Sequence, residues 1–167
     1  MMNSLKRSVQ TSVARHGLAV MLVGLIGGFA WAFALLGEVK LSPIPFTLFD
    51  EFPGDPARWR VVHTGCILNG IMAMVMASVL GFFSTTPEPN RFVRLGILLA
   101  IWGNTVFYIC SVFAPNRSLS IGDNALGAGN IAGTIGYLVA MVAAIGLILV
   151  VVTLLRAAIA AKEEPNA

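Results

Sequence analysis

The sequence predicts an all-α integral membrane protein, a bundle of four transmembrane helices. Composition is the first reason: of 167 residues, 57% are hydrophobic and 11% charged, whereas a soluble domain carries about 25% charged residues. Mean hydropathy is +0.83, and so few charges cannot coat a water-soluble fold. The second reason is four apolar runs, over 17–36, 61–83, 95–114 and 131–155, each reaching the roughly 20 residues needed to cross a bilayer. The third is that the charges fall at the ends of these runs. The net charge of +3 therefore speaks for membrane topology and anionic headgroups rather than nucleic acid. The length fits a single membrane domain over 1–167.

Before the first run, residues 1–16 are polar and read as an interfacial segment, with His16 at headgroup level. Lys6, Arg7 and Arg15 ahead of an apolar stretch resemble a signal peptide, but the stretch is too long for a typical signal core and reads as a retained helix. The connection 37–60 carries Pro43, Pro45, Pro53 and Pro56 and is stiff. Phe46, Phe49, Phe52 and Trp59 give it an apolar underside, so it is expected to cap the bundle. A turn, 84–94, leads to the third run. The loop 115–130 is rich in Gly, Pro, Asn and Asp and reads as a structured turn, with Asn130 placed to cap the fourth helix. In that helix Gly133, Gly136 and Gly146 allow close approach. The tail 156–167 is a polar helix end followed by disorder.

Lys and Arg placement orients the chain. Lys6, Arg7, Arg15, Arg91, Arg94, Arg156 and Lys162 fall on one side, and Lys40, Arg58, Arg60 and Arg117 on the other. Both termini are expected in the cytoplasm.

Polar groups inside the apolar runs are costly in lipid and mark candidate sites. At about 1.5 Å per residue, His63 lies about 3 Å and Asn69 about 12 Å below the non-cytoplasmic surface, with Tyr108 about 9 Å and Asn104 about 15 Å below the same surface. The four gather in one half of the bilayer. Asn104, Tyr108 and Ser111 share a helical face. Taken singly, the asparagines read equally well as interhelical hydrogen-bonding residues. The runs hold no Asp or Glu, and no zinc spacing or Ser-His-Asp arrangement is present; Cys66 and Cys110 read as packing residues. One histidine is compatible with a haem whose opposite face stays open. His16 and His63 lie at opposite surfaces, which excludes a bis-histidine haem within one chain. Arg58, Arg60 and Arg117 are on the His63 side, where they can pair with haem propionates or simply snorkel to the interface.

These residues match a known pattern. Asp55-Pro56-Ala57-Arg58-Trp59, His63-Thr64-Gly65, Leu68-Asn69-Gly70, Trp102-Gly103-Asn104, Phe107-Tyr108 and Ala114-Pro115-Asn116-Arg117, followed by Gly122, Asn124, Gly127 and Gly129, resemble the styrene oxide isomerase family. The similarity is densest over 55–130. It implies a multi-pass enzyme of the bacterial inner membrane, a homotrimer binding haem b between subunits, that converts an aryl epoxide, styrene oxide, to phenylacetaldehyde. His63 then corresponds to the axial ligand of the ferric iron. Asn69 and Tyr108 correspond to residues that position the epoxide, with Asn104 as a further carry-over. Thr64 and Cys66 stand where the family has other small or apolar residues, which bears on pocket shape. The residues alone also accommodate a membrane haem protein for electron transfer or sensing, or a non-enzymatic membrane scaffold.

Overall fold

The computed structural model describes residues 2–40, 43, 46–82 and 87–163. Four helices form it, α1 (Met2–Leu36), α2 (Pro56–Phe82), α3 (Pro87–Val112) and α4 (Ile131–Glu163), with a two-stranded ladder between the first two, β1 (Val39–Lys40) and β2 (Thr47–Phe49). Each helix contains a segment long and apolar enough to cross a membrane. α1 packs mainly on α2 and α3 on α4, and α3 joins the two pairs by touching both α1 and α2. Large apolar side chains remain outside in all four helices, most of all on α4. That inverts the surface of a soluble bundle and suits lipid as solvent.

The helices outrun their apolar stretches. Nothing between residues 2 and 16 breaks a helix, so the segment read as interfacial is the first part of α1. Val9 and Val13 there are buried, one turn apart on the face that continues to Val20, and Gln10 Nε2 donates to the Ala77 carbonyl at 2.9 Å, tying this extension to α2. α2 starts at Pro56 because Asp55 caps it: Asp55 Oδ1 accepts the Ala57 N–H at 2.8 Å. Proline fits the first helical position, whose N–H has no intrahelical partner. α3 starts at Pro87, inside the expected turn, for the same reason.

The capping connection differs from expectation in two ways. It contains the short antiparallel ladder, pairing Val39 with Phe49 and Lys40 with Thr47, too brief to give a period-2 signal. Its four aromatics also do not form one underside. Phe52 and Trp59 do pack inward, in a chain of rings from Phe33 through Phe52 and Trp59 to Phe113 with centroids 5.8–6.2 Å apart. Phe46 and Phe49 are exposed instead, although Val39, the ladder partner of Phe49, is buried.

The loop between α3 and α4 is organised by Asn116, which is fully buried. Its Nδ2 donates to the carbonyls of Ser120 at 3.0 Å and Gly122 at 2.9 Å, and its Oδ1 accepts the Ser118 N–H at 3.1 Å. That last bond supports two non-glycine residues in the left-handed region, Arg117 at φ 59° and Ser118 at φ 56°. Asn130 Oδ1 accepts the Gly133 N–H at 2.7 Å and caps α4. The space left by Gly133 is occupied by Asn116, so that glycine admits the loop, while the space left by Gly136 is shared by Ser118 of the loop and Cys110 of α3, so Gly136 admits both the loop and the neighbouring helix. Asn116→Ala leaves several buried groups without partners and is expected to destabilise the protein by about 3 kcal/mol. Thermal unfolding of the detergent-solubilised variant, followed by helical circular dichroism, measures this; an unchanged midpoint would exclude the role.

Candidate intramembrane site

α2 carries polar groups on two faces. Asn69 looks toward α3 and is buried. Its Nδ2 donates to the Tyr108 hydroxyl oxygen at 3.4 Å, and its Oδ1 accepts from Asn104 Nδ2 at 3.3 Å. The three residues expected at one depth thus form a continuous chain, Asn104 to Asn69 to Tyr108. In this arrangement the Asn69 oxygen is turned to Asn104 and its N–H groups to Tyr108. Since the Tyr108 oxygen accepts here, its own proton has no acceptor among the described residues and remains available to a ligand. Ser111 does not extend the chain; its hydroxyl donates back to the Tyr108 carbonyl at 2.7 Å. Tyr108 reaches α2 because position 65 is glycine. A Cβ there would lie 2.5–2.9 Å from three carbons of the phenol ring, so the ring lies directly against the backbone of α2.

His63 faces α1. Its Nδ1 is 2.9 Å from the Gly24 carbonyl. A carbonyl only accepts, so Nδ1 carries the proton and Nε2 keeps a lone pair. The ring stacks at a tilt on Trp31, with centroids 6.0 Å apart. His63 lines a recess of about 500 Å³ with Leu25, Gly28, Phe29, Trp31, Ala32 and Leu35 of α1, an almost wholly apolar wall. Six residues and about 240° of helical turn separate His63 from Asn69, and the two open on different sides of α2.

The expected arginines are dispersed. Arg58 and Arg117 line another recess of about 550 Å³, with Gly54, Asp55, Ser111 and Pro115 among its walls. Arg58 Nε lies 3.9 Å from Asp55 Oδ2, beyond hydrogen-bond range, and is buried without a partner among the described residues. Arg60 is exposed. Within this chain, then, none of the three lines the recess of His63. Among the described residues no cluster of three or more His, Cys, Asp or Glu is present.

Several contributors escape a sequence reading. Gly24 and Gly28 are visible only as a small-xxx-small pair that lets helices approach; that the histidine lies against them depends on the register of α1 on α2. Trp31 gives no signal beyond being aromatic. Cys66 and Thr105 pack beside the polar chain, the thiol directed at Thr105 Oγ1 at 3.8 Å. His16 is more than a headgroup residue, since its Nδ1 accepts from Trp102 Nε1 at 3.1 Å.

Four helices of membrane-crossing length, a buried amide–phenol chain and a histidine with one committed nitrogen define a membrane-type helical bundle with a polar interior site. A family model described as styrene oxide isomerase matches residues 9–159. A styrene-oxide isomerase of Pseudomonas fluorescens is 32% identical over 122 residues, which cover 73% of this chain and 72% of that protein. The chain belongs to the styrene oxide isomerase family and is an isomerase.

Proposed function

We propose that the protein rearranges an aryl epoxide, with styrene oxide as first substrate, to an aldehyde, phenylacetaldehyde, as a homotrimer in the bacterial inner membrane with both termini in the cytoplasm. The observation that carries this reading is the buried chain from Asn104 through Asn69 to Tyr108, which leaves a phenolic proton for an incoming oxygen.

The His63 recess suits haem b. Nδ1 donates to a backbone carbonyl, the usual outer-sphere partner of a metal-bound imidazole, and Nε2 is left to bind iron. Arg58, Arg60 and Arg117 lie at the same end of the bundle and would take the propionates. A haem shared between neighbours accounts for their not joining His63 in one protomer, and for His63 and Tyr108 opening on opposite sides of α2. When bound, ferric haem supplies a Lewis acid for the epoxide oxygen.

The protein's residues supply orientation and dryness. In the rearrangement the benzylic C–O bond breaks and a hydride moves from the neighbouring carbon to the benzylic carbon, so no atom or electron enters or leaves. Tyr108 donates its proton toward the oxygen as negative charge grows there. Asn69 holds the phenol by an N–H bond, and Asn104 keeps Asn69 from flipping. The surrounding apolar helices exclude water, which would otherwise trap the cation as a diol.

Purified protein incubated with styrene oxide, without any electron donor, is expected to yield phenylacetaldehyde and no diol, followed by gas chromatography. Dependence on a reductant would favour an electron-transfer protein, and absence of product would refute the reading. Subunit mixing tests the shared site: co-expressed His63→Ala and Tyr108→Phe chains, each inactive alone, are expected to regain part of the activity in mixed oligomers. No recovery would place both residues in a site within one subunit.

A further inference from the structure

The end of the bundle that holds the N-terminal part of α1 carries a second polar recess. Arg7 and Arg15 from α1 and Arg94 from α3 line it, with Ser8, Ser12 and His16, enclosing about 560 Å³. Helical spacing produces the cluster, since positions 7, 11 and 15 and positions 8, 12 and 16 form adjoining rows on one face of α1. The Thr11 hydroxyl donates to the Arg7 carbonyl at 2.8 Å, so the donors lining the recess for a ligand are the three guanidinium groups, the two serines and the Nε2–H of His16, whose Nδ1 accepts from Trp102. The arginines take no part in an ion pair among the described residues; both ion pairs found, Lys40 with Glu38 and Arg58 with Asp55, lie at the opposite end. Three arginines around one recess, without an ion-pair partner among the described residues, offer an anion a favourable place to bind.

An apolar groove begins where this recess stops. Leu95, Leu98, Leu99, Trp102 and Val106 of α3 and Val142 of α4 line about 600 Å³. It runs on the order of 16 Å along α3. Arg94 is adjacent to Leu95, and Leu98 lies one turn below Arg94 on the same face. Trp102 lines the groove and also bonds His16 of the recess, so the basic recess and the groove share a wall. The candidate isomerase site uses neither.

We propose that recess and groove together bind one anionic phospholipid, with its phosphate among Arg7, Arg15 and Arg94 and an acyl chain along the groove between α3 and α4. A free phosphate would satisfy the arginines but would leave the groove unused. The bound lipid bridges α1 to α3, whose mutual packing is less extensive than that of α1 on α2.

Native mass spectrometry of delipidated, detergent-solubilised protein tests this with dioleoylphosphatidylglycerol, dioleoylphosphatidylcholine and inorganic phosphate as probes. The phosphatidylglycerol adduct is expected to bind at least tenfold more tightly than the phosphatidylcholine adduct. Each of Arg15→Gln and Arg94→Gln is expected to weaken it about fivefold, from about 1 kcal/mol per basic residue at a lipid surface. Val142→Trp places bulk in the groove from an exposed position and is expected to weaken both lipids without affecting phosphate. Equal affinity of wild type for the two lipids would overturn the proposal, and that comparison needs no variant to fold. Full displacement of phosphatidylglycerol by millimolar phosphate, with Val142→Trp silent, would show a site for a free anion and also overturn it. Unchanged phosphatidylglycerol affinity in folded Arg15→Gln and Arg94→Gln proteins would do the same.

Discussion

Replacing His63 with alanine is expected to give a folded but colourless protein with isomerase activity reduced by more than a hundredfold. Loss of an outer-sphere partner alone costs roughly 10- to 100-fold in metal affinity or activity, and loss of the ligand should cost more. His63 is partly exposed and lines an apolar recess, so its removal enlarges that recess without opening the core. Folding should survive, and added imidazole should restore a Soret band if the vacated space accepts it. A gentler perturbation comes from α1. A Cβ at Gly28 would lie 2.8 Å from His63 Nδ1 and 3.0 Å from Cε1. Gly28→Ala must therefore push the ring off the Gly24 carbonyl, and a haem loss within the 10- to 100-fold range is expected. Absorption spectra of the purified proteins check both. A Soret band in His63→Ala without imidazole would assign the iron to another ligand, and its absence from wild type would remove the haem altogether.

Relative level along the helices was legible in the sequence, and rotation about the helix axes was not. The helical rise is fixed, so counting residues from the ends of the apolar runs places Asn69, Asn104 and Tyr108 at similar levels, and the structure brings them into one hydrogen-bonded chain. Rotation is decided by packing. Whether His63 meets α1 or α3 depends on Gly24 and Gly28 admitting α2 closely. The arginines illustrate the same limit: Arg58 lies about 140° around α2 from His63, on the side held by Asp55 and the loop of Arg117. Charge and position alone put both beside the histidine, whereas the capping of α2 by Asp55 turns Arg58 elsewhere. Hydropathy was also blind to where helices begin. The start of α1 is polar in composition yet buries Val9 and Val13, and the start of α2 is set by one capping carboxylate.

Tyr108→Phe is expected to retain haem and fold while losing about 10²- to 10³-fold in kcat, the usual cost of removing one preorganised donor at a developing oxyanion. The phenol oxygen accepts from Asn69 and its proton is uncommitted, so the substitution deletes one donor and leaves the ring where Gly65 receives it. KM should change little, because the deleted bond strengthens as the C–O bond breaks rather than on binding. Two neighbours separate this role from simple packing. Asn69→Asp replaces the N–H groups facing Tyr108 with an acceptor, which would turn the phenolic proton inward and away from the substrate; it should resemble Tyr108→Phe in kcat. Gly65→Ala keeps both polar groups but drives a methyl into the ring, and it should lower kcat and raise KM together, since the displaced phenol also narrows the space for an aryl group. Full activity in Tyr108→Phe would remove the phenol from the chemistry. A kcat loss in Tyr108→Phe accompanied by loss of the Soret band would instead make Tyr108 a support for the cofactor recess, a role that its position on the far side of α2 from His63 argues against.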